Sequence, residues 1–395
     1  VARIADDSTV VLLYMLLQNN QSFHSFLASR ADLDALLLPL LATLYRAHEF
    51  TRVRVYTILI IMSILTFDEH FIQSISGVVI STPAWFKEKY LRAVPLPEFV
   101  ILVLMRTIQL NLKGIRDAYL HDNCLASMCN LATQLTGLSL YTSKKLISVS
   151  YLYIQRYLSL MNKSTVPATT HIPPPPKRES PDGDESDEDF EGDAEGQAPT
   201  GEPQQPHEQR IDMSNGLVGA SETIGRSPIE LLNTLDATEG YIRTMLEIID
   251  TLFRKKASNN VQLLYALILE PSPFENIMNH PRLADTVNQL KAPIEHFLRE
   301  VQAAECNTPT QVVQQLTTSA LKWNSDIPIP DLRFAYQETN AAIFFTPSIW
   351  KLALKHPKLY WNPDSIQLFD TGSDPSFAGD DDPEGPPRDD IAEDI

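Results

Sequence analysis

Apolar residues recur along this chain at helical rather than strand spacing. In the central stretch, Ile101, Leu104, Ile108 and Leu112 form one apolar stripe, with Arg106, Gln109 and Lys113 off it. A short break near Gly114 follows, and Leu120, Cys124, Met128, Leu131 and Leu135 resume the pattern. Ala126, Ser127 and Ala132 beside them are small, which lets another helix approach closely. The spacing therefore predicts two helices, the second covered on more than one side, and the rest of the chain is read outward from this pair.

Upstream, residues 9–18 read as an apolar helix with Asp7 or Ser8 as cap, and residues 22–29 as a short one. Residues 33–47 carry Leu33, Leu36, Leu37, Leu40, Leu41 and Leu44 on one face behind a candidate cap, Asp32. Each buried leucine contributes roughly 1.5–3 kcal/mol of transfer free energy, so this face needs a partner. Residues 53–67 are the most hydrophobic run. Arg54 and Asp68 bracket fewer than the ~20 apolar residues of a membrane span, so they predict a helix buried on both sides. Residues 68–79 predict another helix, and Thr82-Pro83 predicts one starting at Trp85. Pro95 and Pro97 close that segment, and residues 138–161 form the last long helix of this half. Further on, helices are predicted over 227–256, 260–269, 271–279, 283–304 and 309–322, the first starting at Ser227-Pro228 and the last capped by Thr308. Residues 332–336 alternate and read as extended, and 346–355 as a final helix. No strand pattern convinces. The fold class is all-α. Short-linked helices without a tetratricopeptide or ankyrin period fit an irregular armadillo/HEAT-like solenoid, and the run Cys124–Ala132 is similar to an inner helix of such a repeat.

Charge sharpens the domain plan. The net charge of −18 is concentrated in two tails, residues 177–202 and 370–395, each at net −9, so the remainder is neutral. Net charge thus gives the folded part no reason to attract nucleic acid or an anionic membrane. Four consecutive prolines at 173–176 and the acidic run that follows cannot bury enough surface to offset ordering entropy. The plan is a first helical part over 1–162, a disordered insert over 163–226, a second helical part over 227–369 and a disordered tail over 370–395. Within the insert, Ser186 precedes consecutive acids and Ser180 precedes Pro181, so both are candidate phosphorylation sites.

Catalytic chemistry finds little footing. Cys124, Cys129 and Cys306 make no disulfide framework, and zinc would need more Cys and His at close spacing. Asp68-Glu69-His70 is the tightest acid–histidine cluster and reads as a solvated helix start. His121 and Cys124 lie three apart on a helix whose cysteine side faces the core stripe, so Cys124 reads as structural. A phosphate loop and a Gly-x-Ser-x-Gly elbow are missing from the sequence. No metal site, cofactor or enzymatic activity is expected.

Two separated motifs carry a resemblance. Arg106-Thr107-Ile108-Gln109, Arg116-Asp117, Tyr119-Leu120-His121 and Asn123-Cys124-Leu125-Ala126 come first, and Tyr360-Trp361-Asn362-Pro363 with Gln367-Leu368-Phe369 follows in the right order. Together they resemble the dymeclin family over most of the helical parts. The resemblance implies an armadillo-like, non-enzymatic, peripheral Golgi protein that supports secretory traffic through protein partners. It also implies longer relatives, with an N-terminal half ahead of Val1 and a myristoylation signal at its start. Arg106, Arg116 and Asp117 read either as packing ion pairs or as a partner-binding ridge, and Tyr360, Trp361 and Asn362 either as an aromatic staple or as a docking element. Two rivals stand beside this reading. A hydrolase or transferase on a helical fold needs titratable groups converging in a cleft, and a nuclear-transport type of carrier needs a groove of repeated Trp and Asn, which four scattered tryptophans do not supply.

Overall fold

The computed structural model describes residues 7–165, 228–254, 257–270, 272–323 and 331–337, with two single positions beyond. The chain divides into two compact units, Val1–Gln337 and Glu338–Ile395. Ser180, Ser186, Tyr360, Trp361 and Asn362, the acidic tail and most of the insert and of the helix read over 346–355 lie outside the described residues.

The described residues are mostly helical: α1 (Asp7–Asn19), α2 (Gln21–Ala28), α3 (Leu33–Tyr45), α4 (Arg52–Phe67), α5 (Glu69–Ser76), α6 (Leu96–Leu110), α7 (Ala118–Ala132), α8 (Leu140–Thr165), α9 (Pro228–Arg254), α10 (Val261–Leu269), α11 (Ala284–Ala303) and α12 (Pro309–Lys322). The leucine face of α3 is buried as expected. Asp32 does not cap it and pairs instead with Arg30, Oδ1 accepting from Nε at 2.7 Å. Pro39 sits inside α3; it cannot donate to the preceding turn, and Thr43 Oγ1 donates to its carbonyl at 3.2 Å. Thr51 caps α4, whose 16 residues are buried on most sides between α1 and α7. No single described helix is long and apolar enough to cross a membrane. At Asp68 the chain turns by 91° into α5, and Asp68 caps it by accepting the His70 and Phe71 amides at 2.8 and 3.5 Å. The acid–histidine cluster is therefore a helix start.

The helix predicted from Trp85 does not form. A two-stranded antiparallel pair stands there, β1 (Val79–Ile80) and β2 (Val94–Pro95), with Val79 opposite Pro95 and Ile80 opposite Val94. Thr82 continues the pairing: its amide donates to Leu91 O at 3.0 Å and its hydroxyl accepts from Leu91 N at 3.1 Å. A threonine engaged this way is not available to cap a helix. The intervening loop is held by aromatics. Trp85 and Phe86 stack within 5.7 Å of Tyr45 on α3 and Phe99 on α6.

α6 is buried almost throughout, and Pro97 occupies its first turn. The break near Gly114 is one π-type turn over Asn111–Ile115, closed by Arg116 N donating to Asn111 O at 2.9 Å. α7 then passes between α4, α6 and α9. Leu120, Cys124, Met128 and Leu131 are buried on one face, and Leu125, Cys129 and Ala132 on another. That is what the small residues on this helix permit. α9 also lies against α8, so the helices on either side of residues 166–227 share one body. Asn260 fastens that join: its Oδ1 accepts from Leu138 N at 3.2 Å while its Nδ2 donates to Leu252 O at 2.8 Å. Gly137 in the same turn has φ +74°, a conformation that suits glycine. Beyond it, Phe253, Leu264, Phe297 and Leu316 gather α9 to α12 into a second core, with Trp323 packed on it.

Candidate functional site

Arg106 lies beside the α6 stripe and faces the loop carboxylate of Glu88. Its Nε is 3.5 Å from Glu88 Oε1, an ion pair without hydrogen-bond geometry, and its guanidinium lies 5.7 Å from the Tyr45 ring centre. Glu88 collects further partners from α8: Lys145 Nζ donates to Oε2, and Tyr141 Oη donates to the same oxygen at 3.3 Å. Burial pushes the Lys145 ammonium down, against the pull of Glu88, and pushes the Tyr141 phenol up. Glu88 therefore ties the aromatic loop to α6 and α8.

Arg116 and Asp117 make the start of α7. Arg116 adopts φ 55° and ψ 41°, a left-handed conformation costly for a side-chain-bearing residue. Asn111 holds the turn by pairing with both backbone groups of Asp117: Nδ2 donates to its carbonyl at 2.6 Å, and Oδ1 accepts its amide at 2.8 Å. Asp117 Oδ1 accepts the Leu120 amide at 3.4 Å, while its other oxygen accepts from the Tyr56 hydroxyl of α4. Replacing Asp117 with Ala should cost about 1–2 kcal/mol, the range for a lost cap, whereas Asp117→Asn should keep most of the stability. Urea unfolding midpoints check this.

Arg116 also opens onto a cleft of about 510 Å³ between α7, α8 and α9, lined among others by His121, Tyr153, Arg156, Glu230 and Tyr241. At its floor His121 Nδ1 and Tyr153 Oη are 2.7 Å apart, and both rings pack on Tyr241, at 5.0 and 5.7 Å. Burial, assisted by nearby Arg156, lowers His121 from 6.5 to about 4. Burial also raises Tyr153 far above the ordinary phenol range and raises the neighbouring Asp122, whose hydrogen bond with Tyr241 pulls it back. At neutral pH the lowered His121 is therefore neutral and the raised Tyr153 keeps its proton. Burial likewise pushes Cys124 up, and Cys129 up to about 12, so neither is a ready nucleophile. Among the described residues no group of three or more His, Cys, Asp or Glu could hold a metal ion.

A second place in the body grips backbone. Segment 331–337 touches α4, α5 and α7. Asn130 on α7 is fully buried; its Oδ1 accepts Phe334 N at 2.7 Å and its Nδ2 donates to Phe334 O at 3.1 Å. Leu332 is buried, and Arg333 pairs with Glu69 while its guanidinium lies 5.4 Å from the Phe67 ring. Sequence reasoning did not single out Asn130 or Glu88. An asparagine on a helix apolar on several sides was the available signal for the first; the loop carrying Glu88 offered none.

The comparisons with known proteins agree with the motifs. A family model described as "Dymeclin: Dyggve-Melchior-Clausen syndrome protein" matches residues 2–352, ending ahead of the Tyr360 motif. Dymeclin of Xenopus laevis is 30% identical over 369 residues, covering 92% of this chain and 48% of the relative. Dymeclin of Drosophila melanogaster is 26% identical, covering 92% and 46%, and that of Dictyostelium discoideum 27%, covering 93% and 42%. The chain thus spans about half the length of the curated relatives it matches. No solved structure matches it. With a family model matching nearly nine-tenths of its length and curated relatives aligned across almost all of it, this chain belongs to the dymeclin family.

Proposed function

We propose that this chain is part of a non-enzymatic helical scaffold in the cytoplasm that supports Golgi organisation and secretory vesicle traffic. The observation that carries the reading is membership of the dymeclin family across nearly the whole chain. The architecture we assign is an irregular armadillo/HEAT-like stack. In support of it, α7 is packed between α4, α6 and α9, as an inner helix of such a stack would be. In support of a binding role, burial raises the Cys124 thiol, which keeps its proton and is not a ready nucleophile. Membrane association is peripheral in this reading, through protein partners or a lipid carried elsewhere in the full-length protein.

The test is rescue. Cells depleted of their own dymeclin should regain compact Golgi stacks and normal cargo secretion when given the full-length protein containing this chain. Tyr153→Phe should rescue equally, since it keeps the ring and removes only the hydroxyl. No rescue at matched expression would overturn the Golgi reading. A Tyr153→Phe protein that folds and localises but does not rescue would favour a catalytic rival.

A further inference from the structure

The contact between Asn130 and Phe334 has the form of peptide recognition. A side-chain amide that donates to a carbonyl and accepts an N–H of the same residue mimics one strand of a sheet. It satisfies the backbone of a bound segment without reading its side chain, and here Phe334 is 49% exposed. Selectivity lies one and two residues earlier. Leu332 is the one buried apolar anchor of the segment, and Arg333 meets the Glu69 carboxylate and the Phe67 ring face. Asn130 is further set by Thr66 Oγ1 at 3.4 Å, so the gripping amide is positioned by α4 and not by the segment alone.

We infer that the surface made by Phe67, Glu69 and Asn130 is a binding site for extended peptides reading apolar–Arg–any residue, and that Leu332–Phe334 occupies it in cis as a resident competitor. The occupant fits because three consecutive residues are each held: Leu332 by burial, Arg333 by a carboxylate beside an aromatic face, and Phe334 by a backbone clamp. Arginine suits the middle position better than lysine, since its flat guanidinium can stack and pair at once. All seven residues of the segment except Leu332 and Tyr336 are exposed. A partner peptide carrying the same pattern competes with an intramolecular ligand whose effective concentration is on the order of millimolar. The surface is thus masked in the isolated chain and opens to a partner present at high local density. This deepens the interaction-protein reading by naming a partner chemistry. Peptide binding is read directly, so its failure is distinct from a failure of Golgi rescue.

The test uses the whole chain and a fluorescein-labelled peptide with the sequence of residues 330–337. In the variant Leu332→Asp/Arg333→Glu the resident segment is disabled, and the peptide should bind at least about tenfold more tightly than to wild type, as removal of an intramolecular competitor requires. Adding Asn130→Ala or Glu69→Lys should abolish that binding. The Glu69→Lys protein should then prefer a peptide carrying Glu in place of Arg333. Equal affinity of wild type and the double variant, or binding indifferent to Glu69→Lys, overturns the inference. If the double variant does not fold, hydrogen exchange in the full chain decides. Phe334 amide protection should fall in Glu69→Lys and return in Glu69→Lys/Arg333→Glu. Protection unchanged by both overturns it.

Discussion

Phe99→Ala should destabilise the folded chain by about 3–5 kcal/mol, the range for deleting a buried aromatic side chain. Phe99 is fully buried in α6 and lies 5.7 Å from Trp85 and 5.3 Å from Phe86, ring centre to ring centre. Those two rings in turn pack on Tyr45, whose hydroxyl accepts the Lys87 amide at 3.1 Å. The cavity therefore opens where α3, α6 and the 81–93 loop meet, and the loop carries Glu88 with its contacts to Arg106 and Lys145. Little backbone there is free to collapse into the gap, which places the cost high in the range. Trp85→Ala should cost less, because Trp85 is only partly buried. The two changes together should cost less than their sum, since they remove one shared contact. Urea unfolding of both single variants and the double variant measures this. A Phe99→Ala cost below about 1 kcal/mol would mean that the aromatic cluster is not part of the cooperative core.

Much of this fold was legible because its helices announce themselves by period. The α3 leucines, the run that became α4 and the two-sided α7 all sit where apolar spacing puts them. So does the Thr308 cap, which accepts Gln311 N at 3.3 Å. What misled was local chemistry that two elements can share. Thr82-Pro83 is a proper helix start in isolation, but the threonine hydroxyl and amide both pair with Leu91, and Trp85 and Phe86 pack on Tyr45 and Phe99 instead. Asp32 fails as a cap because Arg30 is two residues away and wins its carboxylate. The candidate site was legible in part. Arg106, Arg116 and Asp117 stood out by motif, yet their partners Glu88, Asn111 and Tyr56 are 5 to 61 positions distant along the chain, and nothing in the local pattern pairs them. Asn130 finds Phe334 across 204 positions, a separation that no local pattern can bridge.

His121 should make stability depend on pH in the acid direction. In the folded chain its proton affinity is lowered from the ordinary 6.5 to about 4, first by burial and then by Arg156. The neutral ring shares a hydrogen bond with Tyr153 Oη at 2.7 Å and packs on Tyr241. Above pH 6.5 the ring is neutral in both the folded and the unfolded chain, and its contribution is fully present. As pH falls below 6.5 the unfolded chain takes up a proton that the folded chain refuses, so stability drains away until about pH 4, where both forms bind it. The full loss corresponds to about 3 kcal/mol, at 1.36 kcal/mol per pH unit of difference. The carboxyl of Asp122 and the phenols of Tyr153 and Tyr241 face the same space, and burial raises all three. Asp122 therefore acts with the opposite sign: it favours folding on acidification near its own range, so the net acid loss should be somewhat smaller than the His121 share alone. The variant His121→Gln keeps a hydrogen-bond partner for Tyr153 and cannot titrate. It should be less stable than wild type at pH 7.5 but should lose about 2–3 kcal/mol less on going to pH 4.5. Urea midpoints taken at half-unit steps between these limits give the two slopes. Parallel slopes for wild type and His121→Gln would show that His121 is protonated as readily in the folded chain as in water, and that the floor of the cleft is wet.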